Sequence, residues 1–217
     1  MSAARDVLGG HLLVPVVVSD VPAHAIGLGR ALADGGLPIA EVTLRMPRAL
    51  ELLAAMAEGC PDLVVGAGTV VTADQVDAAV DAGARFLVSP GLAVDVVERA
   101  RGRQVPILPG VATPSDLMAA TALGLDLVKL FPAGSLGGTD TVRALAAPFP
   151  AMRFVPTGGI GPADLADYLS VPAVAAVGGS WMVPAGALAD GDHDTVRRLT
   201  AEAVQAARTA RPPDQQR

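Results

Sequence analysis

The sequence predicts an α/β fold, specifically a (β/α)8 TIM barrel that forms a single domain. Short β-branched, apolar runs alternate with longer segments rich in Ala, Leu, Asp, Glu and Arg from one end of the chain to the other. This alternation is typical of parallel βαβ units. The apolar runs are almost continuously hydrophobic, as expected for strands buried on both faces. Eight such units within 217 residues fit a compact barrel.

The predicted strands cover residues 13–18, 39–44, 63–67, 86–88, 105–108, 127–131, 154–155 and 174–177. The helix-like segments between them cover residues 21–35, 47–59, 72–83, 93–101, 114–124, 139–147 and 162–169. With a short N-terminal helical segment, these units assign residues 1–210 to one barrel domain. Residues 211–217 are polar and contain two prolines, so we expect a disordered tail there.

Several helix boundaries carry their own signals. Thr113 places a capping hydroxyl before Pro114 at the first helical position. Residues 72–75 have the spacing of a capping box. Gly83 and Gly124 follow helix-like segments and suit a left-handed helix end.

A doubly wound open sheet is the competing architecture, since it has the same alternation of strands and helices. Its dinucleotide-binding form carries a G-x-G-x-x-G motif at the start of the first helix, and no such motif opens the first helix here.

Composition and charge exclude several classes of protein. Hydrophobic residues make up 51% of the chain and charged residues 18%, which is enough apolar material for a sizeable core. The net charge is −6 and no basic run occurs, so nucleic acid and anionic membranes are poor candidate partners. The single cysteine, Cys60, excludes an internal disulfide. The N-terminal apolar run is too short to span a bilayer, and Pro15 interrupts it, so we expect a cytoplasmic protein.

The only lysine of the chain, Lys129, lies inside a predicted strand. A charged amine between apolar neighbours is costly to bury unless it is paired or loses its proton. A buried lysine that loses its proton is the usual nucleophile for attack on a ketone, which gives a Schiff base. The alternative is a lysine on an edge strand whose amine reaches water.

Glu41 provides a candidate acid for the same site. Side chains alternate along a strand, so Glu41, Thr43 and Arg45 share one face, as do Lys129 and Phe131 on a later strand. If both faces point inward, a carboxylate lies beside an amine, and that pair can carry out proton transfer and imine chemistry. A buried ion pair without a catalytic role is the alternative. Small residues at positions 66–68 favour a ligand site, because they leave an open space nearby.

Two further residues lie at predicted strand ends, where barrel enzymes hold their catalytic groups. Arg45 can clamp a substrate carboxylate through two hydrogen bonds, or it can be a surface arginine at the rim. Thr69 follows a Gly-x-Gly turn and can bind the same carboxylate, or it can belong to a helix cap near Thr72.

Two glycine-rich turns follow the last two predicted strands, at residues 157–159 and 178–180. Barrels often bind phosphate in these two loops through backbone amides. Amide dipoles would allow an acidic protein to hold a dianion.

The three histidines, His11, His24 and His193, fall outside the predicted strand ends, and no H-x-x-x-H motif occurs. We therefore expect no metal ion in the site.

Six motifs in register give a specific resemblance to a known family. They are Glu41-Val42-Thr43-Leu44-Arg45, Val65-Gly66-Ala67-Gly68-Thr69-Val70, Ser89-Pro90-Gly91, Lys129-Leu130-Phe131-Pro132-Ala133, Pro156-Thr157-Gly158-Gly159-Ile160 and Gly178-Gly179-Ser180-Trp181. The chain resembles the 2-keto-3-deoxy-6-phosphogluconate (KDPG) and 4-hydroxy-2-oxoglutarate (KHG) aldolases from about residue 14 to about residue 206. The resemblance implies a (β/α)8 barrel, a class I aldolase without a cofactor, and a homotrimer.

The resemblance also implies a reaction and a set of roles. The reaction is reversible cleavage of KDPG to pyruvate and glyceraldehyde 3-phosphate, a step of the Entner-Doudoroff pathway, with KHG as a second substrate that gives pyruvate and glyoxylate. The implied catalytic residues are Lys129 for the Schiff base and Glu41 for acid–base catalysis. The implied binding residues are Arg45 and Thr69 for the pyruvate carboxylate, Thr157 for the aldehyde end, Gly158, Gly159, Gly179 and Ser180 for phosphate, and Pro90 and Phe131 for the pocket wall.

Two alternatives to this function stay open. The first is an aldolase for the galactonate epimer of the substrate, and the turn at residues 156–159 favours the gluconate form. The second is a barrel that binds a phosphate ester without turnover, against which Lys129 counts. The sequence departs from some relatives at Leu130 and at residues 134–136. The loop change could alter the range of substrates.

Overall fold

The computed structural model describes residues 3–211, with side chains from residue 6 onward. Its strands are β1 Leu13–Val17, β2 Ile39–Thr43, β3 Val64–Gly68, β4 Phe86–Val88, β5 Ile107–Leu108, β6 Gly110–Val111, β7 Leu127–Leu130, β8 Arg153–Pro156 and β9 Val177–Gly179. Its helices are α1 Ala3–Leu8, α2 Ala25–Asp34, α3 Ala49–Gly59, α4 Ala73–Asp81, α5 Val94–Gly102, α6 Pro114–Ala122, α7 Gly138–Ala146, α8 Leu165–Ser170, α9 Ala185–Asp190 and α10 His193–Ala210.

All ladders between these strands are parallel, and they form two sheets. One sheet has six strands in the order β5-β4-β3-β2-β1-β9, and the other has three in the order β6-β7-β8. Isolated parallel bridges join Phe154 of β8 to Val174, in the segment before β9, and Thr157, just after β8, to Gly178 of β9. The predicted α/β class with parallel strands is confirmed.

Two predicted strands differ from the observed ones. The fifth ends at Leu108, and a separate strand resumes at Gly110, because Pro109 has no amide hydrogen to continue a ladder. The eighth was placed on residues 174–177, but the ladder with β1 pairs Val177, Gly178 and Gly179. Apolar composition marks the buried stretch before β9, whereas backbone pairing extends into the glycines.

Alternation along the strands separates the helix-covered side of the six-stranded sheet from the side that carries the polar groups. On β2, Ala40 and Val42 are fully buried in a cluster with residues of α2 and α3. Glu41 and Thr43 lie on the opposite side and are also buried. One face of β2 therefore packs against the helices, and the other presents the polar side chains of Glu41 and Thr43.

Two of the predicted helix starts carry side-chain caps. The Thr113 hydroxyl accepts from the Asp116 amide, and the Asp116 carboxylate accepts from the Thr113 amide in return. Thr72 likewise accepts from the Gln75 amide, but the Gln75 side chain binds the amide of Val71, so only half of the predicted box forms.

The longest helix, α10, contains residue 206, near which the resemblance to the aldolases places a final helix. It spans 18 residues and packs against α2 and α8. Arg211, the first residue of the predicted tail, donates hydrogen bonds to the carbonyls of Val174 and Ala175. Residues 212–217 of that tail lie outside the described residues. Within residues 3–211, none of the helices combines the length and apolarity needed to cross a bilayer.

Cys60 is buried at the end of α3, where its thiol donates to the carbonyl of Ile26. Burial raises the pKa of the Cys60 thiol. Thiolate is the reactive form of cysteine, so burial and the raised pKa both disfavour reactivity at this residue.

Candidate active site

A pocket of about 350 Å³ opens where the strands end. All eleven residues that the sequence assigned to a site line it: Glu41, Arg45, Thr69, Pro90, Lys129, Phe131, Thr157, Gly158, Gly159, Gly179 and Ser180. The lining also contains Val16, Val18, Thr43, Ile160 and Gly178, which were not predicted as site residues.

The centre of the pocket is a contact between Lys129 and Glu41. The Lys129 Nζ donates to Glu41 Oε1 at 3.2 Å, and the two side chains are only 7% and 3% exposed. Lys129 belongs to β7, which lies between β6 and β8 rather than at a sheet edge. The alternative of an edge-strand lysine that reaches water is therefore wrong.

This contact allows a proton to move within the pair. An ammonium beside a carboxylate and an amine beside a carboxylic acid differ only in the position of one proton along the 3.2 Å contact. Only the neutral amine can attack a carbonyl. The ring of Phe131 lies 5.2 Å from Lys129 Nζ and closes one side of the pair.

Thr43, on the same strand as Glu41, links β2 to the neighbouring strand β1. Its hydroxyl, which is buried, donates to the carbonyl of Val17 at 3.0 Å and so ties β2 to β1 within the pocket. The sequence placed Thr43 on the same face as Glu41. Its role was not predictable, because its partner lies 26 positions away on another strand.

Arg45 and Thr69 lie at the mouth of the pocket. Arg45 forms no ion pair or hydrogen bond with the described residues, and it is exposed, so its guanidinium is available to an anion. Thr69 has φ +59°, a left-handed conformation that is rare for a β-branched residue and costs about 1–3 kcal/mol. Thr72, not Thr69, caps α4, which removes the helix-cap interpretation of Thr69.

The turn that carries Pro90, which lines the pocket, is held in place by two neighbouring contacts. The Ser89 hydroxyl donates to the carbonyl of Gly91 at 2.7 Å, which closes the turn. Gly110 on β6 lies directly beneath, since a Cβ there would lie 2.2 Å from the carbonyl oxygen of Pro90.

The loop after β8 presents backbone amides to the pocket. Gly158 and Gly159 have φ of +93° and +72°, and the Gly158 carbonyl accepts from the amide of Gly134. Within residues 3–211, the amides of Gly159 and Ile160 donate to no acceptor, whereas the parallel bridge between Thr157 and Gly178 engages the amide of Gly158. Consecutive free amides in such turns form a concave site for an anion.

A larger cavity of about 670 Å³ lies at the opposite end of the strands, beside α1 and α10. It is lined by His11, Arg153, Arg208 and Arg211 together with apolar residues. Burial, and then the charge of Arg208, lowers the pKa of His11. This cavity contains no pair of nucleophile and acid, so the smaller pocket is the candidate active site.

Metal-ligating groups do not gather in the part of the chain with described side chains. No cluster of three or more His, Cys, Asp or Glu residues there could hold a metal ion. None of the three histidines lines the pocket.

Comparisons with known proteins cover almost the whole chain. A family model described as KDPG and KHG aldolase matches residues 5–199. The KHG/KDPG aldolase of Escherichia coli (strain K12) is 42% identical over 207 residues, which is 95% of this chain and 97% of that protein.

Two solved structures have the same fold. The 2-keto-3-deoxy-6-phosphogluconate aldolase of Zymomonas mobilis ZM4 with 3-phosphoglycerate has a TM-score of 0.89 at 42% identity, covering 97% of this chain and 100% of that one. The KDPG aldolase from Legionella pneumophila, with pyruvate captured as a covalent carbinolamine intermediate, has a TM-score of 0.90 at 37% identity. That match covers 93% of this chain and 98% of the Legionella chain.

Proposed function

Because the chain belongs to the KDPG and KHG aldolase family, we propose that it cleaves 2-keto-3-deoxy-6-phosphogluconate reversibly to pyruvate and glyceraldehyde 3-phosphate through a Schiff base on Lys129. The observation that carries this proposal is the buried contact between Lys129 and Glu41 inside the pocket. A buried ion pair alone would not need open space around it, whereas this pair faces a pocket of about 350 Å³.

The first half of the proposed mechanism forms the imine. The neutral amine of Lys129 attacks the C2 ketone of the substrate and gives a carbinolamine. Glu41, as a carboxylic acid, donates a proton to the departing hydroxyl, so water leaves and a protonated imine remains. Arg45 and Thr69 would hold the C1 carboxylate and thereby place C2 next to the amine.

The second half breaks the carbon–carbon bond. The Glu41 carboxylate takes the proton of the C4 hydroxyl, the C3–C4 electron pair moves into the imine, and the aldehyde departs from an enamine. Protonation of the enamine at C3 and hydrolysis of the imine then release pyruvate and restore the amine of Lys129. Thr157, which lines the pocket, would contact the aldehyde end and influence which C4 epimer is accepted.

The phosphate would lie in the loops after β8 and β9. Gly158 and Gly159, the second of which has an unpaired amide, line the same pocket as Gly179 and Ser180. Amides can meet the charge of the phosphate in a chain whose net charge is −6. Pro90 and Phe131 would form the side walls around the substrate. KHG, which has no phosphate, would use only the end of the pocket around Lys129.

A coupled assay for pyruvate release tests the proposed function. We expect cleavage of KDPG, slower cleavage of its galactonate epimer, and release of pyruvate from KHG. Preference for the galactonate epimer would reassign the substrate. No pyruvate from any of the three compounds would leave a barrel that binds phosphate esters without turnover.

We also propose that the two sheets together form one closed eight-stranded barrel. In this barrel, β5 and β6 count as two halves of a single strand that Pro109 interrupts. Support comes from the Lys129 amide, which donates to the carbonyl of Pro109 between those halves, and from the bridge of Thr157 to Gly178 on the other side. A crystal structure with an open sheet edge at β5 or β8 would contradict this closure.

A homotrimer is the proposed assembly. Three of the most exposed apolar side chains lie on consecutive βα units: Val71 just before α4, Val94 at the start of α5 and Met118 in the middle of α6, with exposures of 50%, 55% and 66%. Exposed apolar side chains on neighbouring elements are typical of contact surfaces. We expect light scattering to give three times the chain mass of 21.8 kDa, and a monomer would contradict the proposal.

A cytoplasmic location stays a prediction from the sequence.

A further inference from the structure

We infer that Gly68 is a positioning residue for the proton transfer of the proposed mechanism, because the space left by its missing side chain holds the carboxylate of Glu41. The inference rests on the proposed function for its kinetic consequences, whereas its geometric content stands on the structure alone.

Gly68 is the last residue of β3, and Glu41 lies on the neighbouring strand β2. A Cβ built on Gly68 would lie 2.2 Å from Glu41 Oε1, 2.6 Å from its Cγ and 2.7 Å from its Cδ. Contacts under 3.0 Å do not occur for real Cβ atoms, so the glutamate would have to move. Oε1 is also the atom that accepts the hydrogen bond from Lys129 Nζ. A methyl group at position 68 and the reacting oxygen therefore compete for the same space.

The requirement for glycine at this position is one of space rather than backbone conformation. Gly68 is not among the glycines with positive φ. Alanine can adopt its backbone angles, and the ladder with β2 can persist. The expected consequence of Gly68→Ala is thus local: the Glu41 carboxylate rotates or shifts out of hydrogen-bond reach of Lys129.

Such a shift should affect rate more than binding. A general acid must lie about 2.6–3.2 Å from the group with which it exchanges a proton. Displacement of a reacting group by about 1 Å can cost about 10²-fold in rate. The amine of Lys129 is retained in Gly68→Ala, so covalent capture of pyruvate should survive.

The same strand offers a matched control. A Cβ on Gly66 would lie 2.4 Å from the ring of Phe86, which is a core residue and does not line the pocket. Gly66 and Gly68 are two positions apart on β3 and share one face. Gly66→Ala therefore introduces a comparably close contact without a displaced site residue.

The experiment compares Gly68→Ala and Gly66→Ala in both the native and the Glu41→Gln background. We expect both substitutions to lower the melting temperature, and Gly68→Ala to lower kcat for KDPG by a further 10- to 100-fold or so relative to Gly66→Ala. In the Glu41→Gln background, the additional kcat loss of Gly68→Ala should vanish, because no acid remains to be displaced. An equal kcat loss for the two substitutions, or a loss that persists with glutamine at position 41, would overturn the inference.

Two further measurements keep the test independent of activity and of folding. A crystal structure of Gly68→Ala should show a longer Nζ–Oε1 distance than 3.2 Å, and an unchanged distance would overturn the inference even in an active enzyme. If the native chain releases no pyruvate while this distance lengthens, the proposed function fails and the geometric inference stands.

Should Gly68→Ala not fold, Glu41→Ala combined with Gly68→Ala is expected to fold, since the colliding side chain is gone. Failure of that double variant would place the clash elsewhere.

Discussion

Replacement of Lys129 by alanine is expected to abolish both turnover of KDPG and the trapping of pyruvate by borohydride. Without the amine there is no carbinolamine and no imine to accept the electrons of the C3–C4 bond. We expect a loss of kcat/KM of at least about 10⁴-fold, the scale seen when a covalent nucleophile is removed. Intact-mass measurement after borohydride treatment with pyruvate should show one added group on the native chain and none on the variant.

The sequence makes this experiment unusually clear, because Lys129 is the only lysine among 217 residues. No other side-chain amine can form the imine, so the α-amino group is the sole competing site. Lys129→Met serves as a second variant, since it retains most of the side-chain volume between Glu41 and Phe131 while it removes the amine. Circular dichroism should confirm that each variant is folded. Labelling that persists in either folded variant would refute the assignment of Lys129.

The sequence was enough to place these polar side chains on the faces of the strands that line the pocket. Side-chain alternation put Glu41 and Arg45 on one face and Lys129 and Phe131 on another, and all four line the pocket. The ends of parallel strands meet on the same side of a sheet, so residues far apart in the chain were expected to converge there. The parallel α/β class follows from the same local periodicity.

What the sequence could not supply depends on pairing between strands. The contact of 3.2 Å between Lys129 and Glu41 joins residues that are 88 positions apart. Gly68 was recognised as a small residue, but its importance follows from the side chain that fills its space on β2. The last strand was displaced toward Gly178 for the same reason, since the ladder with β1 rather than local apolarity decides its position.

Glu41→Gln is expected to lower kcat by about 10²–10⁴-fold while pyruvate is still trapped on Lys129. Glutamine has nearly the same shape, so the pocket and the packing against Gly68 are retained, but it cannot give or take the proton of the C4 hydroxyl. The assay for pyruvate release measures kcat, and borohydride trapping measures imine formation separately. Glu51→Gln is the matched control: it makes the same chemical change at an exposed ion pair with Arg48, outside the pocket, and should leave kcat unchanged.

The separation of the two readouts decides what Glu41 does. If glutamine slows cleavage but leaves trapping intact, proton transfer at the C4 hydroxyl is the step that needs the carboxylate. If trapping slows in the same proportion, the main role of Glu41 lies in dehydration of the carbinolamine, before the carbon–carbon bond is broken. An unchanged kcat would remove Glu41 from the mechanism and require another base. No other carboxylate lines the pocket among the described residues, so that base would have to be the substrate phosphate or a water molecule.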